Sequence, residues 1–174
     1  MGLNWSAIGK LFDEDPVRHG LSAQAAGLDC PADVFEQLFH DHHGDGAFAA
    51  DLTAVDWARV VWTQEDFTGV RLRQVAAPRG YQYAIDEARA RTMLYGLTDD
   101  RPDVVASWRD AGTWVRAPVL VDGAVLSNLY RHELLVGFTR VGDLLGLLDR
   151  GEIREMATHR VWVGQLKSGQ RSGK

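Results

Sequence analysis

Cysteine is almost absent from this chain: a single residue, Cys30, leaves no partner for an internal disulfide, so no covalent staple holds the fold. That scarcity agrees with a reducing compartment, and Cys30 reads as a small apolar residue just ahead of a helix start at Pro31. Long apolar runs are missing too. Nothing approaches the ~20 residues of a membrane span, and no basic segment followed by an apolar one opens the chain, so the expectation is a cytoplasmic protein with no membrane partner. Basic charge is in deficit, 19 Lys and Arg against 24 Asp and Glu for a net charge of -5, which argues against broad binding to nucleic acid backbones. The chain has neither a Walker-type G-x-x-x-x-G-K-[ST] nor a G-x-G-x-x-G loop, and no recognisable Ser-His-Asp or Cys-His arrangement that would support covalent acyl chemistry. The group His40-Asp41-His42-His43-Gly44-Asp45 has the right residue types for a metal but the wrong spacing, since adjacent histidines at a helix end diverge. No metal ligand is assigned.

What is present suits a single soluble domain with a modest appendage: 174 residues, 45% of them apolar, can bury a sizeable core. In the first half, spacing predicts helices over Asn4–Phe12 and Pro31–His40, then strands over Asp56–Trp62 and Thr68–Val75 around a turn at Thr68-Gly69. Arg71 and Arg73 alternate with Val70 and Leu72, and with Arg89 and Arg91 they read as solvated positions on the outer faces of a strand and a helix. A helix follows over Tyr83–Tyr95, stopped by Gly96. From Arg101 onward the order is helix (Asp103–Asp110), strand (Ala117–Val121), strand (His132–Val136), helix, strand (His159–Val163), with short loops that imply one compact α+β layer pair. The tail Ser168–Lys174 has the composition of a disordered segment.

The most informative segment is His132 to Gly151, where a strand passes into a helix through Gly137-Phe138-Thr139-Arg140. Val141, Leu144, Leu145 and Leu148 form a helical stripe, Thr139 is a preferred N-cap residue and Gly151 a preferred C-terminal stop. The N–H groups of the helix's first turn, its dipole and the Arg140 guanidinium would converge on one point, an arrangement suited to phosphate. Trp114 borders the same segment and is a candidate stacking wall for a nucleobase. His132 and Glu133, on the strand leading in, are candidate general bases, with Glu65 and Asp66 in the first half as others. Side-chain alternation lets at most one of His132 and Glu133 face a pocket.

This order of elements, with Gly137 and Arg140 at its centre, resembles the ParB/sulfiredoxin superfamily over about Arg101 to Gly164, with a weaker extension back to about Asp56. Sulfiredoxins read G-C-H-R at this turn, ParB-type partition proteins G-E-R-R, and free-serine kinases D-G-H-H-R. Here the letters are Val136-Gly137-Phe138-Thr139-Arg140, so the Gly and the Arg match and the residues between do not. The segment Ala111-Gly112-Thr113-Trp114 followed by Pro118-Val119-Leu120-Val121 resembles the superfamily's helix-Gly-x-x-x-Pro-Ile/Val stretch. The resemblance implies a small mixed sheet flanked by helices over residues 51–166, behind an N-terminal helical extension (1–50) and ahead of a disordered tail (167–174). It also implies that Gly137, Phe138, Thr139 and Arg140 bind the phosphates of a nucleotide such as ATP, ADP or CTP, with magnesium.

The departures narrow the chemistry. Phe138 stands where sulfiredoxins carry the reactive cysteine, which removes sulfinic acid reduction, and the residues after Trp162 leave no room for a helix-turn-helix of the partition type. The free-serine kinase signature loses its aspartate and both histidines. Three readings follow: a domain that binds a small phosphorylated ligand at Gly137–Arg140 and hydrolyses it or transfers a phosphoryl group; a non-catalytic module that senses a ligand or binds a protein partner, as in an antitoxin, immunity or defence system; and a ParB-like nuclease.

Overall fold

The structure is a computed structural model that describes residues 28–40, 55–78, 80–97, 99, 101–126 and 129–167. The helix expected over Asn4–Phe12, the His40–Asp45 group apart from the backbone of His40, and the tail from Ser168 lie outside the described residues.

The protein is α+β, with helices around a four-stranded mixed sheet in the order β1-β4-β2-β3. In chain order the elements are α1 (Ala32–Val34, continuing as a π-helical stretch Phe35–His40), a 3-10 turn Trp57–Arg59, β1 (Val60–Thr68), α2 (Gly69–Leu72), α3 (Gln82–Tyr95), α4 (Pro102–Ala111), β2 (Val119–Asp122), α5 (Gly123–Leu126), β3 (His132–Val136), α6 (Phe138–Asp149) and β4 (Thr158–Leu166). No helix among the described residues is long and apolar enough to cross a membrane.

The described residues group into two packing units. One takes those up to Thr63, with Asp122–Leu129 and those from Gly164 on; the other takes Gln64–Val121 and Tyr130–Val163. In the first, Phe35, Phe39 and Trp57 form a chain of ring contacts, with centroids 5.7 Å and 5.3 Å apart, and Trp57 stacks on Trp62 at 6.0 Å. Cys30 is half-buried, and burial, then the neighbouring Asp29, push its thiol up to about 12, which keeps it protonated and unreactive.

The second unit holds the candidate site. Its core joins Phe67, Leu120, Leu134, Val161 and Val163 from the strands to Ile85, Val141, Leu144, Leu145 and Leu148 from the helices. β3 is buried along its whole length, as an uninterrupted apolar centre (Leu134-Leu135-Val136) requires. Every residue of α6 from Val141 to Leu148 is buried, because α6 meets the core with its leucines and α3 with its glycines.

The pairing of α3 with α6 follows from two small residues. A Cβ on Gly142 would lie 2.5 Å from the Ile85 carbonyl oxygen, and one on Gly146 would lie 2.7 Å from the Thr92 Cβ, so neither position accepts a side chain. Register rises together along both helices: Phe138 meets Tyr81, Gly142 meets Ile85 and Ala88, Gly146 meets Arg89 and Thr92, and Arg150 donates to the Met93 carbonyl. The two helices therefore run parallel. The Thr92 hydroxyl donates to Asp143 at 2.6 Å inside this contact, and burial raises the Asp143 carboxyl above its ordinary range.

Expectations over residues 56–75 need correction. The strand expected over Asp56–Trp62 begins only at Val60, because Trp57–Arg59 form a 3-10 turn. Thr68–Val75 is not a strand: Thr68 ends β1, its hydroxyl accepts the Arg71 N–H at 3.3 Å as an N-cap, and the chain turns through the single-turn helix α2. Only Ala76 pairs in extended fashion, in a parallel bridge to Glu133. With the strand gone, the outer-face reading fails for Arg71 and Arg73, whereas Arg91 is exposed and Arg89 partly exposed on helix α3, as expected. Arg71 bonds Glu65 and stacks on Phe67, Arg73 and Arg89 both bond Asp149, and Arg91 lies 3.8 Å from Asp143.

Candidate phosphate site at the strand-to-helix turn

β3 delivers the chain to Gly137, whose φ of 96° and ψ of 29° lie in the left-handed region that glycine tolerates best. A Cβ there would also meet the Pro118 Cβ at 2.8 Å, so the position demands glycine twice, by backbone angle and by space. Gly137 is the N-cap of α6. Thr139 is thus an exposed residue of the first turn and not the cap that its residue type suggested. Glycine itself is an acceptable N-cap, and with Gly137 filling that place the helix begins at Phe138.

Arg140 folds back over this turn. Its Nη1 donates to the Arg116 carbonyl at 2.6 Å, and its Nε and Nη2 lie 3.2 and 3.1 Å from where a Gly137 Cβ would stand. The carbonyl fixes the guanidinium beside the helix start. Phe138 stacks on Tyr81 with centroids 5.0 Å apart and planes 20° from parallel. Tyr81 is the N-cap of α3. Because α3 and α6 are parallel, this stack places their N-terminal ends side by side. Each end carries roughly half an elementary positive charge and a set of first-turn N–H groups with no partner inside the helix.

The remaining candidates lie elsewhere. Trp114 is a core residue, 5% exposed, whose indole N–H donates to the Arg160 carbonyl at 2.7 Å and whose ring meets Trp108 and His159. That burial leaves no face for a nucleobase. His132 and Glu133 are both buried, so alternation along β3 does not turn one of them out to a pocket. His132 starts β3, and Gly137 follows its end five positions later, about 16 Å along an extended strand at ~3.3 Å per residue. Neither residue reaches a phosphate at the turn. His132 instead sits edge-on to Phe67 and 3.3 Å from Arg71 Nη2, and Arg71 also bonds Glu65 at 3.1 Å. Since arginine only donates, His132 Nε2 accepts and the ring proton resides on Nδ1.

Tyr81 and the first turn of α3 are the parts that sequence reasoning missed. Gly80 before an aromatic residue was the available signal, but it says nothing of which helix lies alongside. Compared with models of protein families, with curated proteins and with solved structures, the chain matches none of them.

Proposed function

We propose that the protein binds the phosphate of a nucleotide or another small phosphorylated ligand at the turn Gly137-Phe138-Thr139-Arg140. The observation that supports this most is the lateral pairing of the α3 and α6 N-termini through the Tyr81–Phe138 stack. Two helix ends side by side offer roughly one elementary positive charge, with the guanidinium of Arg140 held beside them. The resemblance of the turn to the ParB/sulfiredoxin signature points to the same ligand class. Among the described residues no group of three or more His, Cys, Asp and Glu could hold a metal, so the proposal assigns magnesium no protein ligand. Binding, not turnover, is the activity this arrangement favours, because His132 and Glu133 are remote from the turn. That suits a ligand-sensing module.

Thermal stability against ATP, ADP and CTP, with and without magnesium, tests the reading. A ligand at about a hundred times its Kd stabilises by about 2.7 kcal/mol, roughly 5–10 °C for a chain of this size. Thr139→Glu separates ligand binding from folding: an acidic residue in the first turn stabilises the free helix by about 0.3–1 kcal/mol, yet repels a bound anion. The variant is expected to melt higher alone and to lose the nucleotide shift. No shift with any phosphorylated ligand would remove the proposal.

A further inference from the structure

A cleft of about 280 Å³ opens in the second unit, walled by residues of α2, α3 and α6 and of the segment after α2. Its volume is just under the ~300–1,000 Å³ typical of ligand clefts, which limits an occupant to a small molecule. Leu72, Val75, Ile85, Val141 and Leu145 give it an apolar lining, and Arg73 and Arg89 bring two guanidinium groups to the same wall.

Both arginines are pinned from one side. Arg73 Nη2 donates to Asp149 Oδ1 at 2.9 Å and Arg89 Nε donates to Asp149 Oδ2 at 2.6 Å, while Asp149 itself does not line the cleft. One carboxylate thus orients two planar donors. Burial works against the Asp149 charge, but the bonds from Arg89 and Arg73 outweigh it and hold the carboxyl below its ordinary range. Two other acidic groups act on the same arginines, Glu155 on Arg73 and Asp86, which lines the cleft, on Arg89. Glu155, 3.3 Å from Arg73, is about half exposed, and Asp86 on the cleft rim is exposed and accepts the Gln82 amide at 3.0 Å. Arg73 Nε is buried with no protein acceptor. An unmet buried donor costs free energy.

We propose that this cleft binds a small organic carboxylate with a compact apolar body, its carboxylate held by Arg73 and Arg89 and its body against Ile85, Val141 and Leu145. Paired, pre-oriented guanidinium groups match the planar two-oxygen head of a carboxylate. The site uses neither Gly137 nor Arg140 and stands independently of the phosphate proposal.

The probes are sodium benzoate and sodium isovalerate, with benzyl alcohol as a neutral counterpart and sodium chloride to equalise ionic strength. Binding is followed on the full chain by isothermal titration and by the Ile85 methyl resonance. Both carboxylates are expected to bind saturably and to shift Ile85, and benzyl alcohol is not. Arg73→Lys keeps a charge for Asp149 but removes the fork and the Nε donor, and Arg89→Gln removes the second guanidinium; each should weaken benzoate by about tenfold or more. Thr139→Glu should leave benzoate affinity unchanged, so failure at the turn would not be mistaken for failure here. No saturable binding, an equal response to benzyl alcohol, or unchanged affinity in folded Arg73→Lys and Arg89→Gln proteins would overturn the assignment.

Discussion

Gly142→Ala should destabilise the protein, against the usual sign for a helix interior. On an exposed helical surface this change gains about 1 kcal/mol, because glycine is the poorer helix former. Here the added Cβ would stand 2.5 Å from the Ile85 carbonyl oxygen, 2.6 Å from the Ala88 Cβ and 3.1 Å from the Arg89 nitrogen. Backbone atoms of a fourteen-residue helix do not step aside singly, so α3 and α6 must separate by roughly 0.5–1 Å. A gap of that size forfeits a quarter to a half of each dispersion contact across the interface, and overpacking in closed cores costs about 1–3 kcal/mol. Set against the propensity gain, the net loss is up to about 2 kcal/mol. Gly146→Ala meets Thr92 Cβ at 2.7 Å and the Arg89 carbonyl oxygen at 2.8 Å, and should behave alike. The double variant should cost less than the sum, because the first displacement makes room for the second methyl one turn away. Urea unfolding measures this directly as a lower midpoint at unchanged slope. A rise in the midpoint for either single variant would refute the close parallel packing, and with it the pairing of helix ends on which the site depends.

Other expectations follow from single residues. His159 is 1% exposed, its Nδ1 lies 3.1 Å from the Thr113 hydroxyl, and burial pulls its pKa from 6.5 down to about 4. The unfolded chain therefore takes up a proton at higher pH than the native state does, and stability should fall as pH drops through the window from about 6.5 to 4. The loss is about 2 kcal/mol between pH 7 and pH 5. His159→Gln should flatten that slope in denaturant midpoints taken across the range, and an unchanged slope would count against the assignment. Gly137→Asn should destabilise by more than about 1 kcal/mol because of the Pro118 contact, whereas Gly151→Asn, with φ of 72° and nothing within 4 Å of the new Cβ, should be tolerated in the same assay. Equal tolerance at both positions would contradict the tight turn.

Several elements were legible from local marks, among them the helix expected over Pro31–His40, which appears as α1 and its π-helical continuation. His132–Val136 appears as β3 at the expected bounds, and helices lie close to those expected over Asp103–Asp110, marked by apolar spacing between Pro102 and Gly112, and over Tyr83–Tyr95, marked by helix-forming composition and a stop at Gly96. Thr68–Val75 misled because alternating Val70, Arg71, Leu72 and Arg73 satisfies strand periodicity, whereas the Thr68 cap and burial of Leu72 favour a helical turn. At the site, local pattern located Gly137 and Arg140. It could not reveal that Arg140 is anchored by a carbonyl 24 positions away, that Trp114 is consumed by the core, or that α3 starts beside α6. Those facts are tertiary contacts, which leave no periodic trace. The same holds for Arg73 and Arg89, which are joined only through Asp149.

The most direct test of the phosphate site is to titrate the isotope-labelled protein with ADP and follow its backbone amide resonances. The account predicts saturable shifts concentrated at Phe138, Thr139 and Arg140 and at Gln82 and Tyr83 in the first turn of α3, all absent from Thr139→Glu. Shifts centred elsewhere, or none at millimolar ADP, would contradict it.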